Sequence, residues 1–273
     1  MAAPSQDRVL QANNLYTLNT IIKETEMKSK RADIRGDLFG TKWKTRIGFW
    51  NVRTLPEYSK LKQGGKEMTS YKLDIMGLSE TRWENDEIKI QNEKFLIFSG
   101  VGEDIEHRSG EGILMNKAAR RSVMEWSPIS EILARFKTKI RNLTIIQCYA
   151  PTETTNKDMK EKFHPQLHET ITAVQKKDVI IVMGDMNAKI GSNNEGLEHV
   201  MGRHVIGNMN ENGELFSDLC ASCDLIIGGT VFPDKTCHKL SWVSPNNITE
   251  NQIDHIAISK RLRSIRYEKQ KGS

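Results

Sequence analysis

Asp178-Val-Ile-Ile-Val-Met-Gly-Asp-Met-Asn187 is the stretch on which the fold turns. Val179 to Met183 are apolar without a break, and all but Met183 are β-branched, which marks a strand covered on both faces. Such a strand needs a sheet around it and a layer of cover on each side, so the chain reads as α/β. The run closes on Gly184 and delivers Asp185 at its end. Asn187, two residues on, falls on the same side if the chain stays extended.

The same design repeats outward from it. Leu143–Cys148 reads as a buried strand ending at Tyr149-Ala-Pro151, and residues 157–176 have helical length and composition. Downstream, 211–223 is helical, Leu225–Ile227 is a short strand, and Asn251–Ile258 is a strand with Asp254 inside it. Upstream, Ile47–Trp50 leads to Asn51, residues 60–71 are helical, and Asp74–Ser79 leads to Glu80. Phe95–Ser99, Gly112–Asn116, Ser122–Trp126 and Leu133–Lys137 follow closely enough to be hairpins. Nothing marks an internal linker. The expected organisation is a flexible leader over 1–42 (Val9–Ile22 as a short amphipathic helix), one domain over 43–259, and a basic tail over 260–273.

The formal charge of +5 permits a polyanionic partner without requiring one. Its excess gathers at 260–271, where Lys260, Arg261, Arg263, Arg266, Lys269 and Lys271 meet one acid, Glu268. A solvated tail is preferred there over a nucleic-acid contact. No apolar run has the length of a membrane span, and the first twenty residues lack a secretory layout, so the expected setting is intracellular and no membrane partner is expected. Cys148, Cys220, Cys223 and Cys237 are expected as buried thiols rather than a zinc site, because Cys220 and Cys223 fall in an apolar helical stretch.

Neighbouring strands of a sheet end near one another, so Asn51, Glu80, Tyr149, Asp185 and Asn187 are placed to converge, with Asp254 inside its strand. Hard oxygen donors of this kind suit magnesium, which takes one or two carboxylates and keeps several waters. A second carboxylate can deprotonate water while amide and phenol groups donate to a developing oxyanion, the chemistry of phosphodiester hydrolysis. Singly, a Glu after a strand is as readily a cap, and an Asn before a turn as readily turn chemistry. Residue types and spacing alone leave the functional reading open.

Taken together, FWNVRTL (49–55), LDIMGLSETRW (73–83), LTIIQCYAPT (143–152), DVIIVMGDMNAKIG (178–191), NMNENGELFSDLC (208–220), IIGGTVFP (226–233) and SWVSPNNITENQIDHIAIS (241–259) resemble the endonuclease/exonuclease/phosphatase superfamily. Within it, the likeness is to the endonuclease domain of RTE-type non-LTR retrotransposons and the host proteins called craniofacial development protein 2. The resemblance implies a DNase I-like four-layer α/β sandwich, two sheets flanked by helices. It implies a DNA endonuclease using Mg2+, or Mn2+ in its place, with no small-molecule cofactor and with the nucleus preferred over the cytoplasm. By motif, Asn51 and Glu80 would lie at the metal, Glu80 as a ligand. Tyr149 would contact the scissile phosphate, Asp185 would activate water, Asn187 would bind the phosphate, and Asp254 would orient a catalytic histidine. Arg53, Arg82 and Trp242 would contact DNA, or else pack and carry surface charge.

The sequence departs from that family in three places. The family's Ser-Asp-His motif and the core strand after it are missing, so the last strand is expected to be absent and activity weak or lost. The alternative is a non-catalytic remnant that binds DNA or protein. His255 is not expected to substitute, because in a strand it faces away from the side that Asp254 faces. Glu111 sits in a Gly-x-Gly where the family usually has an apolar residue, and Ser127–Leu133 is shorter than usual, leaving the next strand's register open.

Overall fold

The computed structural model describes residues 14–20, 45–52, 57–81, 87–91, 93–99, 110–128, 132–138, 141–155, 157–205, 207–231, 242–243, 250–262 and 265–269. In chain order its elements are β1 (Asn14–Thr20), β2 (Thr45–Asn51), α1 (Glu57–Ser70), β3 (Ile75–Ser79), β4 (Glu87–Gln91), β5 (Lys94–Ser99) and β6 (Glu111–Met115). Then come α2 (Lys117–Ser122), β7 (Val123–Pro128), β8 (Ile132–Phe136), β9 (Leu143–Tyr149), α3 (Lys157–Ala173) and β10 (Val179–Asp185). The last are α4 (Glu211–Ser222), β11 (Leu225–Ile227), β12 (Trp242–Val243), β13 (Glu250–Asn251), β14 (Asp254–Ser259) and β15 (Ile265–Lys269).

Among the described residues the first sheet runs β15-β1-β2-β3-β6-β5-β4 and the second β11-β14-β10-β9-β8-β7, with β12 and β13 as a small separate pair. Both large sheets are mixed. β2 with β3 and β9 with β10 are parallel, and the other pairings in them are antiparallel.

Alternation along the strands decides what faces what. In the second sheet Ile145, Ile181, Met183, Ile256 and Ile258 join Ile47, Phe49, Ile75 and Ile113 of the first in one buried core. Their in-between neighbours Ile146, Cys148, Ile180, Val182 and Ala257 pack instead with Leu167 and Ile171 of α3 and Phe216 and Leu219 of α4. A helix covering one face and a sheet covering the other is what an uninterrupted apolar strand demands. On the far side α1 lies close over the first sheet: a Cβ at Gly64 would sit 3.4 Å from Leu114 Cδ2 and 3.9 Å from Trp50 Cζ3. The fold is the α/β sandwich of two sheets flanked by helices that the sequence implied.

The first sheet reaches beyond the span 43–259. Residues 14–20, read as leader, form β1, which pairs antiparallel with β2 on one side and β15 on the other. A strand therefore replaces the short helix the pattern allowed there. β15 lies in the stretch read as a solvated tail, and it supplies a strand after residue 259 where none was expected. Both changes have one cause: edge pairing is made by backbone groups and leaves little trace in hydropathy. The hairpin β7–β8 carries a register shift between Val123 and Glu125, and residues 129–131 lie outside the described set.

Candidate functional site

The parallel pairs β2–β3 and β9–β10 bring their C-terminal ends to the same edge of the sandwich. Asn51 ends β2 and pairs in register with Ser79, so Glu80 follows immediately beside it. Tyr149 ends β9 directly opposite Asp185 at the end of β10, and Asp185 also pairs with Asp254 at the start of β14. Odd-numbered residues of β9 and β10 and even-numbered ones of β14 face the first sheet, so this parity turns Tyr149, Asp185 and Asp254 inward.

The two sheets meet through Asn51. Its Nδ2 donates to Glu80 Oε1 at 2.7 Å and to Asp185 Oδ2 at 3.2 Å. Glu80 is 7% exposed and Asp185 5%, so two largely buried carboxylates share one amide group. Glu80 has φ +58° and Asn187 φ +47°, a backbone region that non-glycine residues seldom adopt and that concentrates at functional sites. The chain is thus not extended at Asn187, and the simple two-residue spacing from Asp185 fails. Asn187 turns back instead: its backbone N–H donates to Asp185 Oδ1 at 3.0 Å and its Nδ2 to the Ala150 carbonyl at 2.8 Å.

Two asparagines that the sequence reading did not single out hold that turn. Asn210, the N-cap of α4, donates from Nδ2 to the Asn187 carbonyl at 3.1 Å and accepts from the Lys189 and Gly213 amides. Asn212 donates to the carbonyls of Pro151 at 2.9 Å and Asn187 at 3.3 Å. Their signal was the cap pattern at the start of a helix. Behind the site Ser79, Glu111 and Gln147 form a second buried cluster, of which the sequence marked only Glu111, as a polar residue where an apolar one is usual. His255 lies on the opposite face, as alternation requires: its Nε2 is 2.7 Å from the Ala188 carbonyl oxygen and its ring packs on Phe216. Arg53 and Arg82 lie outside the described residues, as does the side chain of Trp242, which begins β12.

The donor set fits a hard divalent cation. All the converging side chains offer oxygen, and two acids crowd one amide in a low-dielectric setting that a cation would relieve. Among the described residues no group of three or more His, Cys, Asp and Glu side chains is assembled as a metal cage. That is compatible with an ion held by one or two carboxylates and its own waters.

The fold is DNase I-like, that of the endonuclease/exonuclease/phosphatase superfamily. The AP endonuclease LMAP from Leishmania major superposes with a TM-score of 0.58 at 12% identity, over 81% of this chain and 80% of its own. The 3′ phosphatase NExo from Neisseria, solved bound to a product DNA hairpin, superposes with a TM-score of 0.56 at 15% identity, over 80% of this chain and 88% of its own. In sequence the chain is 31% identical over 220 residues to craniofacial development protein 2 from Bos taurus, a match covering 80% of this chain. The match spans 36% of the length of that relative. No protein-family model matches the chain.

Proposed function

We propose that the sandwich is a Mg2+-dependent phosphodiester hydrolase of endonuclease type, of retrotransposon origin and of weak activity because the Ser-Asp-His motif is absent, with DNA as substrate and the nucleus as its place of work. The observation that carries this reading is the Asn51 bridge between Glu80 and Asp185, which joins side chains of both sheets at one edge. The neighbours' nuclease and phosphatase activities and the DNA hairpin bound by one of them support the substrate class.

Glu80 and Asn51 would hold the metal, with Mn2+ able to replace Mg2+. When bound, the ion neutralises charge on the scissile phosphate and stabilises the leaving oxygen. Asp185 takes a proton from the attacking water as the water oxygen bonds to phosphorus; the bond from phosphorus to O3′ breaks with its electron pair on O3′, which takes a proton from solvent, leaving a 3′-hydroxyl and a 5′-phosphate. Tyr149 and Asn187 donate hydrogen bonds to the phosphate oxygens where negative charge builds. Asp254, in register with Asp185, adds negative charge that orients a cationic or imidazole partner. Arg53, Arg82 and Trp242 would line the DNA path.

A second reading, DNA or protein binding without turnover, is favoured by the position of His255. The imidazole next to Asp254 is committed to Ala188 and Phe216 on the far side of the sheet. Nicking of supercoiled plasmid separates the two. We expect Mg2+-dependent nicking by the wild-type chain, abolished by EDTA and lowered about a hundredfold or more by Asp185→Ala. Equal background rates for both proteins would leave only the binding role.

A further inference from the structure

Directly beneath the candidate site a polar strut crosses the sandwich. Glu111, in β6 of the first sheet, is 2% exposed, and Gln147, in β9 of the second, is fully buried. Glu111 Oε2 accepts from Ser79 Oγ at 3.1 Å and from Gln147 Nε2 at 3.0 Å, and Gln147 Nε2 also donates to Ser79 Oγ at 2.9 Å. Ser79 precedes Glu80, and Gln147 lies two residues before Tyr149. The strut has room only because glycines flank it: a Cβ at Gly77 would fall 1.9 Å from Gln147 Oε1, and one at Gly184 would fall 3.0 Å from Gln147 Nε2.

For stability alone this arrangement is a poor solution. Glu111 Oε1 and Gln147 Oε1 are buried with no hydrogen-bond partner, a cost that an apolar pair would avoid. Burial holds the Glu111 carboxyl well above the usual carboxylate range, the bonds from Gln147 and Ser79 oppose this, and the nearby charges of Asp185 and Glu80 add to it. Burial therefore favours the neutral form of the acid, of which glutamine is the isostere.

We propose that Glu111 is a positioning residue, which through Ser79 and Gln147 fixes Glu80 of one sheet relative to Tyr149 and Asp185 of the other at the spacing that metal binding needs. This inference rests on the proposed metal site. It makes function and stability respond in opposite directions, which a purely structural role does not. Mn2+ binding, followed by electron paramagnetic resonance, and thermal unfolding are compared in the wild-type chain, Glu111→Gln and the double variant Glu111→Leu/Gln147→Leu, which makes both ends of the strut apolar. The expected result is wild-type-like affinity within a few-fold for E111Q and a loss of about tenfold or more for the double variant, which melts at or above the wild-type temperature. If the double variant fails to fold, Ser79→Ala removes only the linking hydroxyl and carries the same comparison. Undiminished affinity in the altered protein overturns the proposal, as does a loss that merely follows a falling melting temperature. A wild-type chain that binds no Mn2+ sinks the metal-site reading itself, an outcome distinct from either.

Discussion

Gly184 separates the apolar run of β10 from Asp185 at φ +143°, and a Cβ there would lie 1.9 Å from the Cys148 carbonyl oxygen. Gly184→Ala therefore combines a disfavoured backbone with a backbone collision and should cost about 3 kcal/mol in a denaturant titration. A wild-type midpoint would show that the strand relaxes freely. Asn187 poses the opposite case. Its φ of +47° suits glycine better, which offsets the loss of its Nδ2 bond to the Ala150 carbonyl, so Asn187→Gly should change stability by no more than about 1 kcal/mol while Mg2+-dependent nicking falls about a hundredfold. Retained nicking would remove Asn187 from the proposed mechanism. Asn51, Glu80 and Asp185 were legible in the sequence because each is a polar residue ending an apolar run. Glu111 was noticed only as an oddity between glycines, since its burial depends on partners 32 and 36 positions away.

On the face of α3 turned to the core, Lys160, His164, Leu167 and Ile171 are buried. Both ring nitrogens of His164 lack a hydrogen-bond partner, and burial, helped by the charge of Lys160, lowers its pKa from 6.5 to about 4. Between those values the unfolded chain binds the proton and the folded chain does not. The neutral ring's contribution is thus complete above pH 6.5 and is lost as the pH falls towards 4. Its size is about 2 to 3 kcal/mol. His164→Leu should shrink the stability difference between pH 7.5 and 4.5, measured by urea unfolding, by about 2 kcal/mol. An unchanged acid limb would place the titration elsewhere. Helices such as α3 and α4 were readable to within a few residues because their apolar faces recur at helical spacing. α2 was not: it is a short helix held by its cap, Asn116 Oδ1 accepting from the Ala119 amide at 2.8 Å, and it runs straight into β7.

Across the whole molecule, two cores stack around the second sheet, and the candidate site opens where the parallel strands of both sheets end. The sandwich was legible because strands buried on both faces require it. Its outer edge was not, because β1 and β15 join strands from distant parts of the chain through backbone groups alone. Deleting residues 265–269 should speed amide exchange at β1 and leave β9 and β10 protected. Uniform acceleration would instead make β15 part of the cooperative core. The central claim is that Asn51 and Glu80 hold a divalent ion beside Asp185. Crystals grown with Mn2+ and measured for anomalous scattering test it most directly. The account predicts one peak at about 2.1 Å from a Glu80 carboxylate oxygen, adjacent to Asn51. A structure with Mn2+ bound elsewhere, or with none at this edge of the sandwich at saturating concentration, would contradict it.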